Sequence, residues 1–79
     1  MKAVTSWRQL PVGRNIVFRI GGRSYRYRVE ARSPENDMLM VSMRKPHWKK
    51  RRATTFLFGI QHWIDEGNIL IQSSGRQAH

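Results

Sequence analysis

The chain has no cysteine, few acidic residues and no long hydrophobic run. Without cysteine among its 79 residues, disulfides, thiolate metal sites and a nucleophilic thiol are excluded, and a reducing compartment is favoured. The longest run without a polar residue, Phe56 to Ile60, is far shorter than the ~20 residues that span a membrane. The first residues contain no apolar stretch of signal-peptide length. We therefore expect a cytoplasmic protein with no membrane partner.

Acidic residues are scarce, and the balance of charge is strongly positive. Five Asp and Glu stand against fifteen Lys and Arg, which gives a formal charge of +10 and a pI near 11.6. This excludes an acidic mimic of nucleic acid. Fourteen of the fifteen basic residues precede residue 53, so the positive charge is concentrated in the first two thirds. Most are arginines, whose rigid guanidinium groups suit bidentate contact with phosphate or carboxylate, so the composition favours a recognition surface.

A chain of this length has room for one hydrophobic core. Hydrophobic residues make up 39% of the sequence and aromatic residues 10%, enough for one small domain, which we place at residues 1–72. Residues 73–79 are polar and are predicted to form a flexible tail. We expect no cofactor, because the sequence has no glycine-rich phosphate loop beyond Gly21-Gly22, which belongs to a tight turn.

Residues 15 to 32 have the pattern of a β-hairpin. Two stretches of alternating character flank Gly21-Gly22, a dipeptide typical of two-residue hairpin turns. Such a turn fixes the register, and alternation of side chains then assigns each residue to a face. The predicted inward face holds Ile16, Phe18, Ile20, Tyr25, Tyr27 and Val29. The predicted outward face holds Val17, Arg19, Ser24, Arg26, Arg28, Glu30 and Arg32.

Further short strands are predicted at residues 38–43, 54–58 and 68–72. Leu39, Val41 and Met43 are expected to face inward, with Trp7 and Leu10 covering one end of the core. Residues 55–67 leave alternatives open: a short helix that ends at a glycine, a helix that starts as early as Thr55, or a hairpin turn. The predicted fold class is mainly β, with α+β as an alternative: a small twisted antiparallel sheet or a partly closed five-stranded barrel, with at most one short C-terminal helix.

Two cationic patches are the candidate binding sites. The segment from residue 44 to 52 carries six positive charges around His47 and Trp48 and is predicted to be an exposed loop, in which clustered cations attract phosphates and the indole stacks on a base or enters a groove. The arginines of the hairpin form the second patch. Together the predicted nucleic-acid-binding residues are Arg19, Arg26, Arg28, Arg32, Arg44, Lys45, Trp48, Lys49, Lys50, Arg51 and Arg52.

Three hypotheses for function follow from this pattern. The first is a non-enzymatic protein that binds DNA or RNA through phosphate contacts, with a nucleoid or other nucleic-acid-associated location. The second is a small regulatory or inhibitory protein, of a kind that suits a phage or mobile element, which docks on an acidic protein surface and uses outward-facing Val17, Met38, Met40 and Trp48 as apolar contacts. The third is a small ribonuclease with His47 as general base. The spacing of His62, Asp65 and Glu66 is a weak signal for chemistry, so we assign no catalytic residue and no metal ligand.

Overall fold

The computed structural model describes residues 1–44 and 52–72. Within these ranges the chain forms one open, fully antiparallel sheet with the strand order β1-β6-β2-β3-β4-β5. The elements are β1 (Lys2–Ala3), β2 (Asn15–Ile20), β3 (Arg23–Ser33), β4 (Met38–Arg44), β5 (Arg52–Phe58), α1 (Ile60–Asp65) and β6 (Ile69–Ile71), with 3-10 turns at Trp7–Gln9 and Pro34–Asn36. The mainly β prediction is confirmed, although the sheet has six strands and does not close.

The predicted hairpin and its register are confirmed. Gly21 and Gly22 both have positive φ, at 59° and 78°, as a two-residue turn matched to the twist of the strands requires. Phe18 pairs with Tyr25 on the neighbouring strand. Ile16 and Phe18 are buried, and both tyrosines are half-buried against the core. Ile20 follows the same alternation but is 37% exposed, because it is the last residue before the turn.

One face of the sheet is covered by α1 and by the N-terminal segment. The helix contributes Ile60 and Ile64 to the core, and the N-terminal segment contributes Val4 and Leu10; all four side chains are buried. Trp7 packs at the margin of this core, so the predicted cover by residues 7 and 10 is confirmed. Among the described residues no helix is long and apolar enough to cross a membrane.

The ambiguous segment 55–67 contains a strand followed by a short helix. Strand β5 continues to Phe58 because each of its residues pairs with β4, so a helix that starts at Thr55 is wrong, as is the hairpin turn. Asp37 holds the start of α1: its carbonyl accepts from the amides of Gly59 and Ile60, and its carboxylate accepts from Gln61 N at 2.7 Å. The helix ends at Asp65, and Gly67, with φ of 75°, follows its C-cap residue Glu66, which agrees with the predicted glycine stop.

A β-bulge in β3 changes the face on which Arg32 lies. Val29 pairs with Val41 and Ala31 with Met40, so β3 has one extra residue, Glu30, at this point. The extra residue reverses the alternation. Arg32 therefore lies on the core side, where its Nη2 donates to the Trp7 carbonyl at 2.9 Å and its guanidinium carbon lies 5.7 Å from the Trp7 ring centroid. The prediction that Arg32 shares a face with the other hairpin arginines is wrong.

Replacing Phe18 tests the assignment of the core. Phe18 is 7% exposed and meets Trp63 edge to face, with ring centroids 5.2 Å apart. We expect Phe18→Ala to lower the free energy of unfolding by about 3–5 kcal/mol, the usual cost of a buried aromatic truncation. Tyr25→Ala should cost less, because Tyr25 is only half-buried. Denaturant titration measures both, with exposed Arg26→Ala as the control; a Phe18→Ala variant as stable as the parent would contradict the assignment.

Candidate nucleic-acid interface

The face of the sheet opposite the helix, here called the outer face, collects arginines from four strands. Because cross-strand partners share a face, the pairs of Val17 with Arg26 and of Arg28 with Ser42 place these side chains on the side away from buried Phe18 and Val29. The pair of Ser42 with Thr54 extends this face to β5. The outer-face arginines are Arg19, Arg26, Arg28, Arg44 and Arg52.

Negative charge is almost absent from the described strands. Glu30 is the only carboxylate in β1 to β6. Glu35 lies in the turn between β3 and β4, while Asp65 lies on the helix and Asp37 holds its start. The outer-face arginines of the described strands therefore have one carboxylate, Glu30, among them.

Glu30 organises two of the five outer-face arginines. Its Oε2 lies 3.0 Å from Arg28 Nη2 and 4.0 Å from Arg52 Nε, and it accepts a hydrogen bond from the Ser42 hydroxyl. Arg52 donates from Nε to Ser42 Oγ at 2.8 Å and from Nη2 to the Ser42 carbonyl at 3.2 Å. Ser42 is 1% exposed although it lies on the outer face. This Glu30 network holds guanidinium groups of β3 and β5 in fixed positions across β4.

The same network lowers the pKa of Glu30. The hydrogen bond from Ser42 is the largest cause, followed by the hydrogen bond from Arg28, and the positive charges of Arg28 and Arg52 act in the same direction. All of these stabilise the ionised carboxylate. Glu30 therefore stays charged well below neutral pH.

An open groove of about 640 Å³ lies where β3 and β4 diverge. The ladder between these strands begins at the pair of Arg28 with Ser42, and the groove lies beyond that pair. Three outer-face arginines, Arg26, Arg44 and Arg52, line it, together with residues of β2 and β6 such as Val17 and Leu70. The groove thus combines guanidinium groups with apolar and aromatic side chains, because Tyr25 and Tyr27 also line it.

The predicted basic loop lies largely outside the described residues, which include only its two ends. Arg44 and Arg52 pair across β4 and β5, and both line the groove. Arg52, predicted as part of the loop, is the first residue of a strand. The predicted binding residues outside the described ranges are Lys45, Trp48, Lys49, Lys50 and Arg51, and His47 and the 73–79 tail also lie outside them.

Sequence reasoning missed two exposed rings on β5. Phe56 and Phe58 are 50% and 64% exposed, with ring centroids 6.5 Å apart. They pair with Met40 and Met38, which puts them on the outer face. Alternation groups the two rings on one face, but the sequence of β5 gives no signal that Leu57, rather than the rings, faces inward. By contrast, Tyr25 and Tyr27 lie on the core side, as predicted.

Comparison of the chain with family models, with curated proteins and with solved structures gives no match. A function for the chain is therefore inferred from the residues of its outer face. Among residues 1–44 and 52–72, no three His, Cys, Asp or Glu side chains cluster as metal ligands would.

Replacing Glu30 with Gln tests the network through pH. The folded-state pKa of Glu30 lies below the reference value of 4.5, so its ionisation stabilises the protein above that pH, and the contribution is lost as pH falls through the folded value. We expect Glu30→Gln to have a lower Tm than the parent at neutral pH and the difference to shrink below about pH 4.5. Glu35→Gln is the matched control. A Tm difference that is constant from neutral to strongly acidic pH would contradict the role of Glu30.

Proposed function

We propose that the protein is a non-enzymatic nucleic-acid-binding protein that contacts phosphates with its outer-face arginines and with the basic segment 44–52. The observation that carries this proposal is the collection of five arginines from four strands on a face whose strands contain one glutamate. A phosphate backbone is the polyanion that matches such a surface, since duplex DNA has one charge per ~1.7 Å of axis.

The crowding of the arginines supports an anionic partner. Arg26 and Arg28, two residues apart on β3, stand about 6.6 Å apart along the strand, and neighbouring strands are about 4.8 Å away. Among the described residues, the salt bridges of this face involve only Arg28 and Arg52. Repulsion between the remaining guanidinium groups opposes folding, and a bound polyanion would relieve it.

The position of the groove supports a path for the backbone. Arg26 of β3 and Arg44 of β4 both line it, beyond the last pair of the ladder between these strands, and Arg44 is also one end of the basic segment. A nucleic-acid backbone laid along the groove would meet both cationic patches at once. Such contacts position a ligand without reading its sequence.

A second candidate function, docking on an acidic protein surface, is favoured by the apolar residues of the same face. Val17, Met38 and Met40 lie on the outer face, as the second hypothesis requires, and are half-buried. Protein interfaces use such residues as apolar contacts at their centre. This function predicts one salt-resistant protein partner and only weak binding to nucleic acid, with Kd of about 10⁻⁴ to 10⁻⁶ M at physiological salt.

The salt dependence of binding tests the role of the outer face. Each phosphate contact removed should reduce the slope of log K against log salt by about 0.9 on duplex DNA. We therefore expect Arg26→Gln with Arg44→Gln to reduce the slope by about two, with nearly equal losses on unrelated sequences. The matched control is Arg8→Gln with Arg23→Gln, which removes the same charge from a 3-10 turn and from the core side of the hairpin. Equal slopes for the two double variants would reject the outer face as the binding surface.

The basic segment is tested in the same way by a separate variant. Replacing Lys49, Lys50 and Arg51 together with Gln should reduce the slope by up to about three, while leaving Arg52 in the Glu30 network. Fluorescence anisotropy over a salt series measures the slope, and circular dichroism checks the fold. A slope within error of the parent's would show that phosphates are bound without this segment.

A further inference from the structure

The exposed rings of Phe56 and Phe58 stand apart from the other aromatic side chains of the described residues. Phe18 is buried, and Trp63, Trp7 and the two tyrosines pack against the core. The two β5 rings instead project side by side, tilted by 30° to one another. Leaving two large apolar side chains in water forgoes the free energy that their burial would contribute. The exposure of both rings therefore indicates that they contact a ligand.

The rings share the outer face with the arginines. Arg52, Thr54, Phe56 and Phe58 alternate along one side of β5. Phe56 is four positions along the strand from Arg52, or about 13 Å. A ligand that reaches from the groove to the rings would therefore meet guanidinium groups first and aromatic faces second.

We infer that Phe56 and Phe58 form a base-stacking platform for single-stranded nucleic acid whose phosphates lie on the outer-face arginines. Proteins that bind single strands combine a cationic path for the backbone with aromatic rings on which bases stack. This inference rests on the proposed function and adds the ligand class to it. Stacking accepts every base because every base has a π-face, so little sequence preference is expected.

The spacing of the rings favours a single strand over a duplex. Their centroids are 6.5 Å apart, about twice the ~3.4 Å rise of successive nucleotides in a stacked strand. Two adjacent bases can occupy the two rings only if they are splayed apart. Bases in a single strand can separate in this way, whereas those of a duplex are paired and stacked on their neighbours.

Charge favours nucleic acid over a second copy of the chain. Strand β5 is at the edge of the sheet, and such an edge can pair with another strand. Two copies paired through β5 would bring together two chains of charge +10, each with Arg52 on the paired strand. Coulomb repulsion opposes that contact, whereas it becomes attraction for a strand of phosphates.

The experiment compares the binding of two oligonucleotides of equal length and charge. One is oligothymidylate of about 12 nucleotides, a length within the site-size range of small single-strand binders. The other is an abasic strand with the same backbone. Phe56→Leu with Phe58→Leu keeps the apolar surface and removes the rings. Phe56→Tyr with Phe58→Tyr keeps the rings and is the matched control. Circular dichroism and thermal melting check that both variants fold.

We expect the parent to bind oligothymidylate more tightly than the abasic strand. The double Leu variant should lose roughly tenfold or more in affinity for oligothymidylate, the loss that stacking on two rings implies, and nothing on the abasic strand. The double Tyr variant should bind like the parent. The salt slope should be the same for all three proteins, because no phosphate contact changes.

Several results would overturn the inference. Equal affinity of the parent for oligothymidylate and for the abasic strand would overturn it, as would tighter binding to a duplex of the same sequence. If that binding still depended on Arg26 and Arg44, the proposed function would stand. Absence of salt-dependent binding to any of these nucleic acids would reject both. A parent that sediments as a dimer, when a further variant with Phe56→Ala and Phe58→Ala sediments as a monomer, would assign the rings to a second copy. Salt-resistant binding of a protein that is lost in the Leu variant would assign them to a protein partner.

Discussion

Alternation of side chains along the strands is the constraint from which the outer face follows. Burying Ile16 and Phe18 under the helix leaves Arg19 and, across the hairpin, Arg26 and Arg28 no position except the opposite side. The same strand geometry that builds the core therefore builds the cationic surface. The core and the cationic surface therefore depend on one register: a one-residue slip of the hairpin would put arginines into the core and aromatic rings into water.

The bulge at Glu30 interrupts the alternation of side chains in β3, and it changes the arrangement of the outer face. One extra residue turns Arg32 toward Trp7 and brings a carboxylate next to Ser42, where it holds Arg28 and Arg52. Fixed guanidinium groups lose less conformational freedom on binding than free ones, so under the proposed function the network would lower the entropic cost of contact with phosphate. The carboxylate also cancels part of the charge that it organises. Among the described residues, two of the three arginines that line the groove, Arg26 and Arg44, form no salt bridge with this carboxylate.

Local patterns in the sequence predict most of the fold. The hairpin is predictable because Gly21-Gly22 and the strict alternation around it agree. The short strand β1 is not predictable, because two residues are too few to show the alternation of a strand. The bulge is not predictable either, since Glu30 continues the alternation of β3 in sequence and leaves it only in the ladder with β4. For the candidate site, alternation groups Phe56 with Phe58, but which side is inward depends on where α1 packs, a tertiary contact that the strand's own residues do not encode.

The pairing of β1 with β6 sets Lys2 opposite Ile71, at the edge of the sheet furthest from β5. The two ends of the domain are therefore neighbours, while residues 45–51 connect β4 and β5 at the other edge. Joining residues 1 and 72 by a short linker would permit a circular permutant that opens between residues 45 and 51, with every strand and its partner retained. In such a molecule the basic segment would become two separate arms, and the outer face would be unchanged. The topology thus allows the contribution of a closed loop to be distinguished from that of its charges alone.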